Sequence, residues 1–232
     1  MKKLEGLALA IVALSFLASI FAYSHLPDRM ATHWSASGDP NGYSSKAFGL
    51  FLMPAISLLL LGLLAFFVRA DPLLAGTRKF KSYPEWIFII MVGFFTYLHL
   101  LIILFNSGLN FDFTYAMVPG FSALFILLGW LIKEAPRNYT VGIRTPWTLA
   151  DDEVWQKTHL LGGKLFQLAG LIGLAGLLFP KVAFFFMLVP VVLSAIFLVL
   201  YSYLVYRSKN QTQPHVMPKK KGKQARPAKR NK

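Results

Sequence analysis

Cysteine is absent from the 232 residues of this sequence. Its absence excludes disulfides, thiolate nucleophiles and cysteine-bound metals, although it does not identify the cellular compartment. Charged residues are also scarce, since they make up 15% of the chain, whereas a soluble domain carries about 25%. Much of the protein surface must therefore face something other than water, and we do not expect an enzyme.

Hydrophobic residues make up 56% of the chain, and most of them fall in long runs. A helix needs roughly 20 apolar residues to cross about 30 Å of hydrocarbon. Continuous rather than alternating runs favour helices over a transmembrane β-barrel. We predict an all-α, polytopic membrane helix bundle in the cell membrane, with about six transmembrane helices at 4–23, 48–68, 87–105, 115–132, 165–178 and 182–206. The fifth run is short, so its helix should begin earlier.

The distribution of basic residues predicts the orientation of the bundle. With six spans, 21 of the 24 Lys and Arg residues lie on the side of the N-terminus, and Arg29, Lys46 and Lys181 lie on the other side. Because basic loops stay inside, both termini should be cytoplasmic. The first run follows Lys2 and Lys3 and resembles a secretory signal, but its roughly 20 apolar residues exceed the about 7–15 of a signal core. We interpret it as a retained anchor.

The chain divides into three predicted parts. Residues 1–80 should form an N-terminal two-span module with an extracytoplasmic loop at 24–47, and residues 81–206 a four-span region with a cytoplasmic loop at 133–161. Residues 207–232 hold ten basic residues and no acidic one, so we expect a disordered tail. Anionic lipid should attract this tail. Direct binding of nucleic acid is not expected, because no folded reader accompanies the charge.

The extracytoplasmic loop is rich in turn-forming residues, as in the segment SGDPNG. It also holds residue types that bind metals: His25, Asp28, His33 and Asp39. Metal ligands must converge and be oriented by further hydrogen bonds, and this spacing matches no metal-binding motif. We therefore predict a structured cap between the first two spans and no metal site, catalytic residue or cofactor in the chain.

The cytoplasmic loop contains a helix start. Thr148 with Asp151 fits a capping pattern, and acidic residues follow in what should be the first helical turn. This amphipathic helix should run into the fifth span, which explains why that span looks short. Arg144, Trp147 and Trp155 allow two interpretations. They anchor the loop at the membrane surface, which the positions of the tryptophans favour, or they form a docking surface for a cytoplasmic partner.

Several features lie within the spans. His99 is near the middle of the third span, and an intramembrane ionisable residue is by default a functional hypothesis. No charged residue accompanies it at similar depth, which favours a hydrogen bond to a neighbouring helix instead. The fifth helix carries a face of small residues that predicts close helix packing: Gly162, Gly163, Ala169, Gly170, Gly173 and Gly176. Pro54, Pro119 and Pro190 lie inside spans, where neighbours must satisfy the freed carbonyls.

The segment 137–166, RNYTVGIRTPWTLADDEVWQKTHLLGGKLF, resembles the signature of the SdpI family, named for the immunity protein against a sporulation-delaying peptide toxin. The matching residues are Asn138, Gly142, Ile143, Arg144, Thr145, Pro146, Trp147, Thr148, Val154, Trp155, Thr158, His159, Gly162 and Gly163. Residues 26–46, with LPDRMATHW and GDPNGY, also resemble an uncharacterised membrane module that commonly precedes the SdpI region.

The resemblance implies an integral membrane protein that protects its own cell from a membrane-active peptide. It also implies signalling by holding a cytoplasmic transcriptional regulator at the membrane. The expected partners are membrane lipids, a peptide toxin outside and that regulator inside. The site residues that it implies are Asn138, Gly142, Arg144, Thr145, Pro146, Trp147, Thr148, Trp155 and His159. The alternative is a small-solute or ion transporter or channel that uses His99.

Overall fold

The computed structural model of the protein describes residues 2–74 and 83–212. In chain order the elements are α1 (Lys2–Tyr23), β1 (Arg29–Trp34), β2 (Pro40–Ser45), α2 (Lys46–Ala70), α3 (Tyr83–Asn106), α4 (Phe113–Glu134), α5 (Pro146–Ala150), α6 (Asp152–Ala175) and α7 (Ala183–Thr212). Within the described residues, six helices are long and apolar enough to cross a membrane: α1, α2, α3, α4, α6 and α7. This confirms the predicted polytopic helix bundle.

Two helix boundaries differ from the ends of the apolar runs in the sequence: the start of the fifth span and the end of the last helix. The fifth span begins at Asp152, as the short run required, because the amphipathic segment and the span form one helix. The last helix continues to Thr212, so the prediction of a disordered tail from residue 207 is wrong for residues 207–212. Lys209 explains the extension, since its ammonium pairs with carboxylates at the start of α6. The rest of the predicted tail, 213–232, lies outside the described residues.

The loop between the first two spans folds into a β-hairpin, which the sequence did not predict. Its strands pair antiparallel, with Arg29 opposite Ser45 and Trp34 opposite Pro40. Gly38, in the connecting turn, has φ +87°, a left-handed conformation that glycine adopts without strain. The predicted structured cap is therefore confirmed, and its form is a two-stranded sheet.

Side chains from the third and fourth spans fix the hairpin to the bundle. The Asn106 amide accepts a hydrogen bond from the Ala31 N–H at 2.8 Å and donates one to the Ala31 carbonyl at 3.0 Å. The Trp34 ring stacks on Phe113 with centroids 3.5 Å apart. We call this end of the bundle the hairpin end. The segment 135–151, which we call the signature loop, lies at the opposite end of α4 and defines the signature-loop end.

Glycines let α6 pack closely against α4, as the small-residue face predicted. A Cβ on Gly129 of α4 would lie 2.6 Å from the Gly163 carbonyl oxygen of α6. A Cβ on Gly170 would lie 2.6 Å from the Ser122 carbonyl oxygen, and one on Gly173 equally close to the Ser122 hydroxyl. Any side chain larger than hydrogen would therefore push these two helices apart.

His99 is buried between the first three helices. It is 1% exposed, and its Nε2 lies 3.0 Å from the Ser19 hydroxyl of α1. The Ser19 hydroxyl in turn donates to the Leu50 carbonyl of α2 at 2.8 Å. That carbonyl lacks its usual helical donor, because the residue four positions later is Pro54. His99 therefore makes the predicted hydrogen bond to a neighbouring helix, within a group that also satisfies a proline-freed carbonyl.

The outer surface of the bundle is apolar. Large hydrophobic side chains are exposed along the spans, among them Leu14, Phe21, Leu59, Leu193 and Leu200. Such a belt would associate or precipitate in water, but it is the surface that hydrocarbon requires. The protein is accordingly a multi-pass cell-membrane protein.

Candidate functional site

The signature loop begins with a tight turn held by Asn138. This side chain is 0% exposed, and its Oδ1 accepts hydrogen bonds from the Thr140 N–H at 2.8 Å and the Val141 N–H at 2.6 Å. Its Nδ2 donates to the Pro136 carbonyl at 2.8 Å. Asparagine suits such a turn because its amide satisfies backbone groups within a few residues. Asn138 is thus a framework residue, not an exposed binding group.

Asp71, which follows α2 directly, holds the same turn from outside. One carboxylate oxygen accepts from the Tyr139 N–H at 2.7 Å and from the Thr140 hydroxyl at 2.9 Å. The other accepts from the Leu73 N–H at 2.9 Å. Asp71 is 4% exposed. The sequence analysis missed it, although an acidic residue directly after a span, in an otherwise basic loop, was a usable signal.

Trp155 and His159 form the floor beneath the loop. Their rings stack with centroids 3.8 Å apart, and the Trp155 Nε1–H donates to the Ala135 carbonyl at 2.7 Å. His159 Nε2 accepts from the Ile143 N–H at 3.0 Å, so Nδ1 carries the proton and donates to the Trp155 carbonyl at 2.8 Å. The neighbouring Gly142 has φ +126° and lies against both rings. Both imidazole nitrogens are therefore engaged in holding the backbone.

The predicted interfacial role of Trp155 is wrong. Trp155 is 2% exposed and belongs to a core cluster with Ile87, Leu131 and Ala135. An anchoring tryptophan would direct its N–H towards lipid headgroups and water, whereas this N–H is bonded to a carbonyl inside the protein. Helical spacing alone did not distinguish a tryptophan at the membrane interface from one in the protein core.

The predicted Thr148–Asp151 capping pattern is also wrong, because two separate helices start here. Thr145 caps α5: its hydroxyl accepts from the Thr148 N–H, and the Thr148 hydroxyl accepts from the Thr145 N–H. The Thr145 hydroxyl also contacts Ser202 of α7 at 3.1 Å. Asp151 caps α6 instead, accepting from the Glu153 and Val154 N–H groups. Reciprocal caps of this kind satisfy the first donors of a helix and fix its direction.

Ion pairs close the loop against the last helix. The Lys209 ammonium lies 2.8 Å from Asp151 and 2.9 Å from Glu153. Its hydrogen bonds, against an opposing effect of burial, hold the pKa of the Asp151 carboxyl below its ordinary value. Arg137 binds Asp152 at 2.6 Å and donates to the Leu149 carbonyl at 2.7 Å. The backbone on both sides of α5 is thereby tied to α6 and α7.

The structure brings the nine predicted site residues together, but only some of them are accessible from outside the protein. Asn138, Thr145, Thr148, Trp155 and His159 are buried, and Gly142 is half-buried under the turn. Arg144 and Pro146 are exposed. Trp147 is half-buried on Tyr203 of α7, with ring centroids 5.1 Å apart. Arg144 donates to the Tyr139 carbonyl. The accessible part of the site is thus Arg144, Pro146 and part of Trp147, together with the exposed Tyr139.

The histidines and aspartates of the hairpin have separate partners. His33 contacts Asn41 at 2.5 Å, and Asp28 pairs with Lys46 at 3.0 Å. Across residues 2–74 and 83–212, no three His, Cys, Asp or Glu side chains are grouped in a way that could hold a metal ion.

Two family models match the chain. The model described as a domain of unknown function, DUF1648, matches residues 10–58, and that of the SdpI/YfhL protein family matches residues 134–202. The immunity protein SdpI of Bacillus subtilis (strain 168) is 27% identical over 205 residues, which cover 88% of this chain and 96% of that protein. No solved structure matches. The chain is thus an integral membrane protein that matches the SdpI/YfhL family over residues 134–202, which include the signature loop, and carries the DUF1648 region at residues 10–58.

Proposed function

We propose that this protein is an immunity protein that protects the cell from a membrane-active peptide. The observation that carries the proposal is the similarity to the immunity protein SdpI, which extends over nearly the whole of both chains. That similarity includes the signature loop, which is held by buried polar contacts of Asn138, Asp71, His159 and Thr148.

Survival of a peptide-sensitive bacterial host tests this function. Cells that express the protein should survive concentrations of at least one membrane-active peptide toxin that kill cells with an empty vector. The comparison requires a panel of such peptides and a measured amount of inserted protein. Equal killing across the panel, with the protein present in the membrane, would refute the immunity function.

We further propose that the signature-loop end is cytoplasmic and that its exposed residues dock a regulator. The basic excess on this side supports the orientation. Arg144 supports docking, because its planar fork can make two hydrogen bonds to one carboxylate or phosphate. Trp147 adds a large, partly open ring of the type enriched at binding hot spots. The buried contacts below keep these groups in fixed positions, which lowers the entropy cost of binding.

Charge-matched variants separate docking from general attraction. Arg144→Ala should reduce protection or signalling about tenfold or more, as expected when a charge-assisted pair is lost. Arg144→Lys should not restore it fully, because an ammonium lacks the planar fork. Lys164→Ala removes another exposed positive charge, on α6, and should have little effect. Equal activity of all three variants, at matched abundance in the membrane, would leave Arg144 without a docking role.

Transport through His99 stays an untested alternative that we do not propose. His99 is 1% exposed, and its Nε2 is bonded to Ser19 within a packed contact of three helices. Ion or solute flux into liposomes that contain the purified protein would revive the transport hypothesis.

A further inference from the structure

Asp71 connects two parts of the protein that the family models treat separately. One model ends at residue 58, and the other begins at residue 134. Asp71 lies between them in sequence, directly after α2, and binds the signature loop at Tyr139 and Thr140. The Thr140 hydroxyl also lies 3.2 Å from the Phe67 carbonyl in the last turn of α2. The end of α2 therefore contacts the loop through one buried carboxylate and one hydroxyl.

The other end of α2 is fixed by the hairpin. Ser45 is the last residue of β2 and also the N-cap of α2, so strand and helix are joined without a linker. Met30 of β1 is fully buried against Gly49 in the first turn of α2, where an added Cβ would lie 3.2 Å from the Met30 Cβ. Asn106 holds the same strand to α3. The position of the hairpin thus determines where α2 begins.

Helix α2 is a single element between these two contacts. Its 25 residues span about 37 Å at 1.5 Å per residue, which is enough to cross the membrane. Pro54 interrupts its ladder, but Ser19 of α1 supplies the hydrogen bond that the Leu50 carbonyl loses. Helix α2 therefore joins the hairpin to Asp71 with no loop between them.

We propose that Asp71 is a positioning residue that couples the hairpin to the signature loop. Displacement of the hairpin moves α2, and the Asp71 carboxylate then loosens or tightens its hold on Tyr139 and Thr140. This coupling rests on the proposed function, since it supplies the route by which a peptide at the hairpin end changes the regulator surface at the opposite end.

A single cysteine in the loop reports the first half of this coupling. Val141 is half-buried and packs on the core cluster that contains Trp155, so Val141→Cys should react with a maleimide mainly when the loop opens. In this cysteine-free protein, Asp71→Asn should raise the labelling rate about tenfold, because an amide presents a donor to one of the three N–H or O–H groups that Asp71 accepts. Glu134→Gln, an exposed carboxylate change near the loop, should leave the rate unchanged.

Thr140→Val distinguishes the loss of the Asp71 contact from general unfolding of the protein. It removes one hydroxyl from the contact, so it should raise the labelling rate less than Asp71→Asn. The two changes together should add little beyond Asp71→Asn alone, since both act on one shared contact. Independent, multiplying effects of the two substitutions, or an unchanged rate for Asp71→Asn, would overturn the role of Asp71.

The second half of the coupling is tested from the hairpin end. Asn106→Ala releases β1 from α3 and should raise labelling of Val141→Cys at the far end of the bundle several-fold when Asp71 is present. It should add nothing when Asp71→Asn is also present. Asn110→Ala, an exposed asparagine four positions away, is the matched control. No response to Asn106→Ala, or the same response with and without Asp71, would overturn the coupling. These assays need no toxin, so their failure is distinct from a failure of protection in the survival assay.

Discussion

Replacing Ser19 by alanine tests whether its hydroxyl compensates for the proline in α2. Ser19 is 0% exposed, donates to the Leu50 carbonyl at 2.8 Å and accepts from His99 Nε2 at 3.0 Å. The substitution removes both bonds and leaves two buried polar groups without these partners. Hydrocarbon offers no water to replace them, so the loss should appear directly in stability.

The magnitude follows from the number of bonds. An interhelical hydrogen bond in a membrane protein contributes about 0.6–2 kcal/mol, so two bonds together are worth about 1–4 kcal/mol. In a chain of this size about 1 kcal/mol corresponds to about 2–4 °C in Tm. We therefore expect Ser19→Ala to lower Tm by about 2–16 °C, measured by far-UV circular dichroism on the purified protein in detergent.

A second substitution tests the stated cause. Pro54→Ala restores an N–H that can bond the Leu50 carbonyl within α2. It should recover part of the lost Tm in the Ser19→Ala background and give a smaller gain in the otherwise unchanged protein. Ser15→Ala, one turn earlier on α1, removes a contact to Thr96 at 3.2 Å and should not couple to Pro54→Ala. Equal gains from Pro54→Ala with and without Ser19→Ala would refute the compensation.

Three further outcomes follow from the signature loop and the topology. Trp155→Phe should destabilise the protein by about 1–3 kcal/mol, because a buried carbonyl loses its donor; an unchanged Tm would contradict the assigned hydrogen bond. The pKa of Asp151 is lowered from its ordinary value of 3.8, so its ionised carboxylate stabilises the folded protein at any pH above that value. This stabilisation is lost as the pH falls through the pKa of the folded state. The Tm difference between the unchanged protein and Lys209→Gln should thus be constant from about pH 5 to 7 and shrink below about pH 4; a pH-independent difference would exclude this linkage. An impermeant thiol reagent on intact cells should label Ser37→Cys but not Ala150→Cys, and the reverse result would invert the orientation.

The spans were predictable because crossing a membrane requires long apolar runs, and these runs can be read directly from the sequence. A run of apolar residues must be helical in hydrocarbon, so even the short fifth span pointed to an earlier start, which the structure places at Asp152. The small-residue face of α6 was equally readable, since close packing leaves few residue types possible. The hairpin was harder to recognise. Its second strand, Pro40–Ser45, holds proline, glycine and serines, a composition that indicates a turn.

The contacts of the signature loop could not be predicted from the sequence, for a different reason. Trp155 is placed inside by the Ala135 carbonyl, 20 positions earlier, and Asp71 by Tyr139, 68 positions later. Periodicity reports on neighbours within a turn or two, so it could not identify these partners. Local cap rules also failed to divide the segment after Thr145 into two helices, because Thr148 and Asp151 each fit more than one cap position. The family resemblance located the right segment but did not say which of its residues face outward.

The amide of Asn106 also has a consequence for other chains that approach the hairpin. By accepting from the Ala31 N–H and donating to the Ala31 carbonyl, it occupies the two groups that a further strand would pair with at that position. Unprotected strand edges recruit extended peptides and promote aggregation. The asparagine thus blocks the pairing of a further strand with β1 at Ala31.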